Sequence, residues 1–344
     1  MNIKTLVSST VVFSVLLASS MMTAQASSGI NENSKAVTVY SSRKEHLIKP
    51  LFEAFTKDTG IKVEYLTGKG SALIERLKLE GANTKADMFM TVDAGNLWYA
   101  GSQDLFQGVQ TETLKSNIPS YLRDPRGLWT GLSVRARTIV YNTDRVKPEE
   151  LSTYADLAAD KWAGRLCLRT SKKVYTKSLV SSLIYNHGKD KTADIVKGWV
   201  NNLAATPNAK DSHVMSAILS GQCDVGLVNT YYYGRLMDKQ PNAPLKLFWA
   251  NQDTTGVHVN VSGAGVTKHA SNAKGATQLL EWLSSAKAQA IYGSLNKEYP
   301  ANQNIASDDV VSAWGTFKQD DMNLSQAGIL QADAVKLMQI QGYR

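Results

Sequence analysis

Residues 37–79 read VTVYSSRKEHLIKPLFEAFTKDTGIKVEYLTGKGSALIERLKL, and their rhythm decides the fold. Val37–Tyr40 has the β-branched and aromatic character of a strand, and Ser41-Ser42 offers hydroxyls to cap the helix that follows. Leu47, Leu51, Phe52 and Phe55 recur at helical spacing and give that helix a buried face. Pro50 falls among them and implies a late start or a kink. Ile61–Leu66 is the next strand, Gly68-Lys69-Gly70-Ser71 a turn, and Leu73, Ile74, Leu77 and Leu79 mark a second helix. Strand, helix, strand, helix predicts a mainly parallel sheet covered by helices on both faces.

The same rhythm continues outward. Ala86–Thr91 reads as a strand, and a helix starts from Asp93. The long run Leu132–Asn142 is expected to leave a first lobe and cross a hinge. Strands at Gly164–Arg169 and Val225–Asn229, with helices near Ser178–Asn186 and Val214–Ser220, then build a second lobe. Val257–Val266 reads as the return crossing, followed by a helix over Ala276–Tyr292 and a tail from Asp308. The expected lobes are 37–137 plus 262–312, and 138–261 plus 313–344. Ligands of such sheets bind outside the carboxyl ends of the strands, which makes a clamshell cleft the expected site.

Residues 1–26 read as a cleavable export signal: Lys4, the apolar run Leu6–Leu17, and the small-x-small ending Ala24-Gln25-Ala26. The remainder of the 344-residue chain exceeds the ~250–300 residues at which one core stops growing, so two lobes are natural. At 43% hydrophobic and 20% charged, the composition is that of a globular protein, not a disordered chain or a membrane bundle. The net charge of +8 is scattered and comes without an aromatic ladder, which argues against nucleic acid as a partner. In an oxidising compartment Cys167 and Cys223 make either one disulfide or two buried thiols. Gly68-Lys69-Gly70-Ser71 lacks the endings of a dinucleotide loop or a P-loop. His187, His213, His258 and His269 show no paired metal spacing, and no nucleophile elbow occurs. These histidines are expected to be solvated or locally bonded, and the chain is expected not to be an enzyme.

The stretch Asn229-Thr230-Tyr231-Tyr232-Tyr233-Gly234 follows the apolar strand Val225–Val228, where a cleft would lie, and Gly234 makes a turn easy. Two readings are open: an aromatic cluster stacked on the lobe, or phenol oxygens gathered for a hard cation. A free phenol titrates near ~10, so a metal bound there must displace protons and would be released by acid.

Val39-Tyr40-Ser41-Ser42-Arg43, Ala86-Asp87 leading to Thr91-Val92-Asp93-Ala94, Leu132–Arg137, Cys167–Ser171 with Val174-Tyr175, Gly221–Asp224 and Asn229–Tyr232 together resemble the bacterial periplasmic ferric-ion-binding proteins, in their tyrosine-rich branch. The resemblance covers nearly the whole chain after the signal. It implies an α/β, two-lobed periplasmic-binding-protein clamshell of type II, with a hinge of two crossing strands. It further implies ferric iron, Fe(3+), as cargo held by Tyr175, Tyr231 and Tyr232 but not by Tyr233. Delivery would be to the permease of an ABC importer in the inner membrane, by a periplasmic monomer. Relatives place His, or His then Tyr, directly after Ser-Ser-Arg; here those places hold Lys44 and Glu45, with His46 one later. Glu45, His46 or water is left to complete the set, and Arg43 could present its fork to carbonate or another small anion. The alternative is a protein of the same fold binding a polyamine or thiamine-like solute, its tyrosines stacking on the ligand.

Overall fold

The computed structural model describes Met1 and residues 36–344; the expected signal segment lies outside the described residues. The first half of the chain carries β1 (Val37–Ser41), α1 (Glu45–Thr59), β2 (Val63–Thr67), α2 (Gly70–Glu80), β3 (Met88–Thr91), α3 (Ala94–Ser102), α4 (Glu112–Asn117) and β4 (Thr130–Asn142). Next come β5 (Leu166–Cys167), α5 (Val174–His187), α6 (Lys189–Asn201), α7 (Asp211–Leu219), β6 (Val225–Asn229), α8 (Thr230–Met237) and β7 (Leu245–Phe248). The last are β8 (Val259–Val266), α9 (Ala273–Leu283), α10 (Ala286–Asn296), β9 (Tyr299–Pro300), α11 (Asp309–Ser312), α12 (Ser325–Ile329) and α13 (Gln331–Ile340).

The sheet runs in the order β2-β1-β3-β8-β4-β6-β5, with β7 and β9 also paired to β4. β1 is parallel to β2 and β3, and β5 is parallel to β6, whereas β4 and β8 run against their neighbours. β4 is the crossing strand. Its residues Thr130–Ala136 pair with β8, and Arg137–Asn142 pair with β6 and β7, so one buried strand belongs to both halves of the molecule. Tyr154 marks the point of transfer: its hydroxyl donates to the Arg137 carbonyl at 2.5 Å and accepts from the His258 amide at 3.0 Å.

Each lobe buries its own apolar clusters. In the first, Phe55 of α1 packs with Leu279 and Tyr292, and Phe89 of β3 with Leu97, Trp129 and Val134. In the second, Trp162 and Trp199 pack with Leu183 and Leu227, and Cys167, Val214 and Cys223 form a separate cluster. The tail divides between them. Met322, Leu324 and Ala327 join the core of Phe89, while Ala334, Leu337 and Met338 join that of Trp162. Val257 and Val259 also lie in the first core, ahead of the expected crossing residue 262.

Several local expectations are corrected. Ser41 and Ser42 do not cap α1, whose N-cap is Lys44 without a side-chain bond; Ser42 Oγ donates instead to Thr91 Oγ1 at 2.8 Å. Pro50 lies inside α1, which continues through it to Thr59. The single helix expected over Ala276–Tyr292 is two, because Ser285 accepts from the Ala288 amide and starts a new one. Only Leu166–Cys167 of the expected 164–169 strand is a strand. His258 is buried and its Nε2 has no partner among the described residues; burial and the nearby arginines lower its pKa to about 3. Cys167 and Cys223 are bonded, which closes a 56-residue separation and contributes roughly 4 kcal/mol by restricting the unfolded chain.

Candidate metal centre

β6 carries the chain to the cleft and stops at Asn229, the N-cap of α8. Tyr231, Tyr232 and Tyr233 therefore occupy the first turn of a helix, where successive side chains diverge by ~100°. Tyr231 and Tyr232 face a cavity of about 510 Å³ between the lobes. Their ring centroids are 4.4 Å apart. Tyr233 points away, edge-on to Trp314, and its hydroxyl donates to the Leu245 carbonyl. Gly234 makes no turn: it sits in the helix, where a Cβ would lie 2.7 Å from the Trp314 ring. Tyr175, the second residue of α5, reaches the same cavity from another side.

The phenols stand in a cationic surround. The Arg135 guanidinium lies 5.3 Å from the Tyr175 ring, Arg169 5.0 Å from Tyr175 and 5.8 Å from Tyr232, and Arg235 5.2 Å from Tyr231. Burial pushes the Tyr175 phenol up, against the pull of Arg135. Tyr231 is pushed further, by burial first and then by Tyr175 and Tyr232. Both are neutral at pH 7 until something displaces their protons.

Behind this wall lies one fully buried acid. Asp211, the first residue of α7, pairs with Arg137 at 3.1 Å and with Arg169 at 3.2 Å, and accepts the Asn229 amide at 3.0 Å. It thereby fixes both an arginine that faces the phenols and the N-cap of the helix that carries two of them.

The first-lobe wall differs. Arg43 lines the cavity but is engaged, its Nη1 donating to Glu298 Oε2 at 3.1 Å and to Ser262. Burial disfavours a charge on Glu298, yet Arg43, Arg135 and the Ser133 hydroxyl outweigh it and hold the carboxyl below the usual range. Glu45 and His46 are exposed and do not line the cavity; Glu45 Oε1 accepts from the Tyr65 hydroxyl at 2.9 Å. Lys44 lines it instead. Among the described residues no group of three or more His, Cys, Asp or Glu is gathered to hold a metal. The donors that do converge are phenol oxygens, which suit a hard cation. The sequence reading missed Glu298, Asp211, Asn296 and Arg235, for none belongs to a local motif.

Known proteins are similar to this chain over most of its length. A Synechocystis protein named iron uptake protein A1 is 43% identical over 90% of this chain and 87% of its own. The Fe(3+)-binding periplasmic protein of Serratia marcescens is 30% identical over 85% of this chain and 86% of its own. The solved structure of a Trichodesmium protein, IdiA or FutA, in complex with iron and citrate superposes with a TM-score of 0.87 at 44% identity, covering 90% of this chain and all of that one. The likeness extends through both lobes, and the fold is the α/β two-lobed clamshell of periplasmic binding proteins. Residues 40–290 match the family described as bacterial extracellular solute-binding protein, and to that family the chain belongs.

Proposed function

We propose that this chain captures ferric iron between its lobes, with the phenolate oxygens of Tyr175, Tyr231 and Tyr232 as its protein ligands, and delivers it to the permease of an ABC importer. The carrying observation is the convergence of these three phenols on one cavity faced by arginines. Three phenolates balance the charge of the ion. The guanidiniums beside the rings favour the phenolate over the phenol once burial has been overcome by the metal. Relatives named for iron uptake and Fe(3+) binding support the reading. The remaining coordination is left to carbonate, another small anion or water, for which Arg43, Arg135 and Arg169 supply positive field. We place the protein in the periplasm, as a binding protein and not an enzyme.

Purified protein offered ferric citrate at neutral pH is expected to develop a visible phenolate-to-iron absorption band. Tyr231→Phe with Tyr232→Phe removes the hydroxyls while keeping the rings, so the band and the bound iron should both be lost. Iron retained at wild-type level by the double variant defeats the assignment.

A further inference from the structure

Arg235 lies one helical turn beyond Tyr231 on α8, and its guanidinium rests over that ring. What holds it there comes from the other lobe. Its Nη2 donates to Asn296 Oδ1, and Asn296 Nδ2 donates to Glu298 Oε1 at 2.7 Å. The other oxygen of Glu298 accepts from Arg43 at 3.1 Å and from Ser133 at 2.6 Å. Asn296 ends α10, which packs through Ala288 and Tyr292 on the first-lobe core, and Glu298 precedes β9, which pairs with β4 at Ser133. Asn296 and Glu298 are buried, 5% and 3% exposed, so these bonds are shielded from competing water. The next residue strengthens the same contact: Lys297 pairs with Asp238, the C-cap of α8, at 3.0 Å and lays its stem against Gly234.

We propose that Asn296 and Glu298 are positioning residues, which hold Arg235 over Tyr231 from the opposite lobe so that the closed cleft releases its ferric ion slowly. The inference rests on the ferric reading given above. A carboxamide suits the middle place, because it accepts from the cation on one side and donates to the carboxylate on the other. The chain of bonds touches none of the three phenol oxygens. It therefore governs how firmly the two lobes stay joined at α8, and leaves the set of metal ligands alone.

The test is the rate at which the iron-loaded full chain loses its visible band to excess EDTA at neutral pH. Asn296→Ala is expected to release iron about tenfold faster, the worth of roughly one charge-assisted hydrogen bond, with the band at an unchanged wavelength. Asn296→Ser, whose side chain is too short to span both partners, should do the same and serves if the alanine variant does not fold. Arg235→Ala should also accelerate release, and the double variant should be no faster than the faster single, since both break one linkage. Wild-type release rates in the Asn296 variants, or additive effects in the double variant, overturn the relay while leaving the ferric site standing. Wild-type protein that takes up no ferric ion removes the site and the relay with it.

Discussion

The second-lobe wall of the cleft puts Tyr175, Tyr231 and Tyr232 at the starts of two helices, whereas the first-lobe wall offers Arg43, Lys44, Asn296 and Glu298. The phenols are thus concentrated on one side, among Arg169 and Arg235, while the other side offers charge and hydrogen bonding without a phenol. On the proposed ferric reading, this asymmetry separates capture from retention: an open form would load through the tyrosine wall, and the first lobe would act by closing over it. Under the same reading, differential affinity for the two forms would let the proposed permease distinguish loaded from empty protein.

The tyrosine wall depends most heavily on Asp211. Asp211→Asn leaves Arg137 and Arg169 buried without their counter-charge, a change expected to cost about 3–5 kcal/mol of stability. Urea unfolding of the empty protein measures it. A loss below about 1 kcal/mol would mean that the arginines find other partners and that the wall is not organised around this carboxylate.

A second difference between the walls lies in their protons. Burial raises Tyr175 and Tyr231 above the usual 10.0, so ferric binding must expel phenol protons, and retention falls as pH falls by roughly tenfold per unit for each proton expelled. For the empty protein the sign is opposite. A raised phenol pKa contributes stability that is complete below the unfolded value of about 10 and lost only as pH rises through the folded value. Acid should therefore strip iron from protein whose phenols still favour the fold. Spectroscopic occupancy that stays level from pH 7 to 5 at fixed chelator would remove the phenols from the coordination sphere.

What could be read beforehand follows the same division. β1 to β3, β6 and the start of α3 were legible because each depends on neighbours in sequence: β-branched and apolar runs, the Asp93 cap, an apolar strand ending at Asn229. The tyrosine pair stood out for its adjacency. The first-lobe wall was illegible because its pairings are distant, Arg43 with Glu298 across 255 residues and Arg235 with Asn296 across 61. No periodicity marks such pairs. Gly234 was misread as a turn because a glycine demanded by a crowding tryptophan looks, in sequence, like one demanded by backbone conformation. The serines were misread as a cap because the hydroxyl of Ser42 had a partner in β3, Thr91, that local reasoning cannot see.

Glu45 and His46 stand at the start of α1, near the places where the resemblance implies first-lobe ligands, yet both are exposed and Glu45 is bonded to Tyr65. Reaching the cavity would require Glu45 to give up that bond. Glu45→Gln and His46→Ala, separately and together, are therefore expected to leave the iron-release rate within about twofold of wild type, the scale of ordinary surface substitutions. Faster release in Glu45→Gln, accompanied by a shift of the visible band, would show that the first lobe donates an oxygen to the ion on closing. Capture and retention would then share a residue, and the division between the two walls would no longer describe how the protein works.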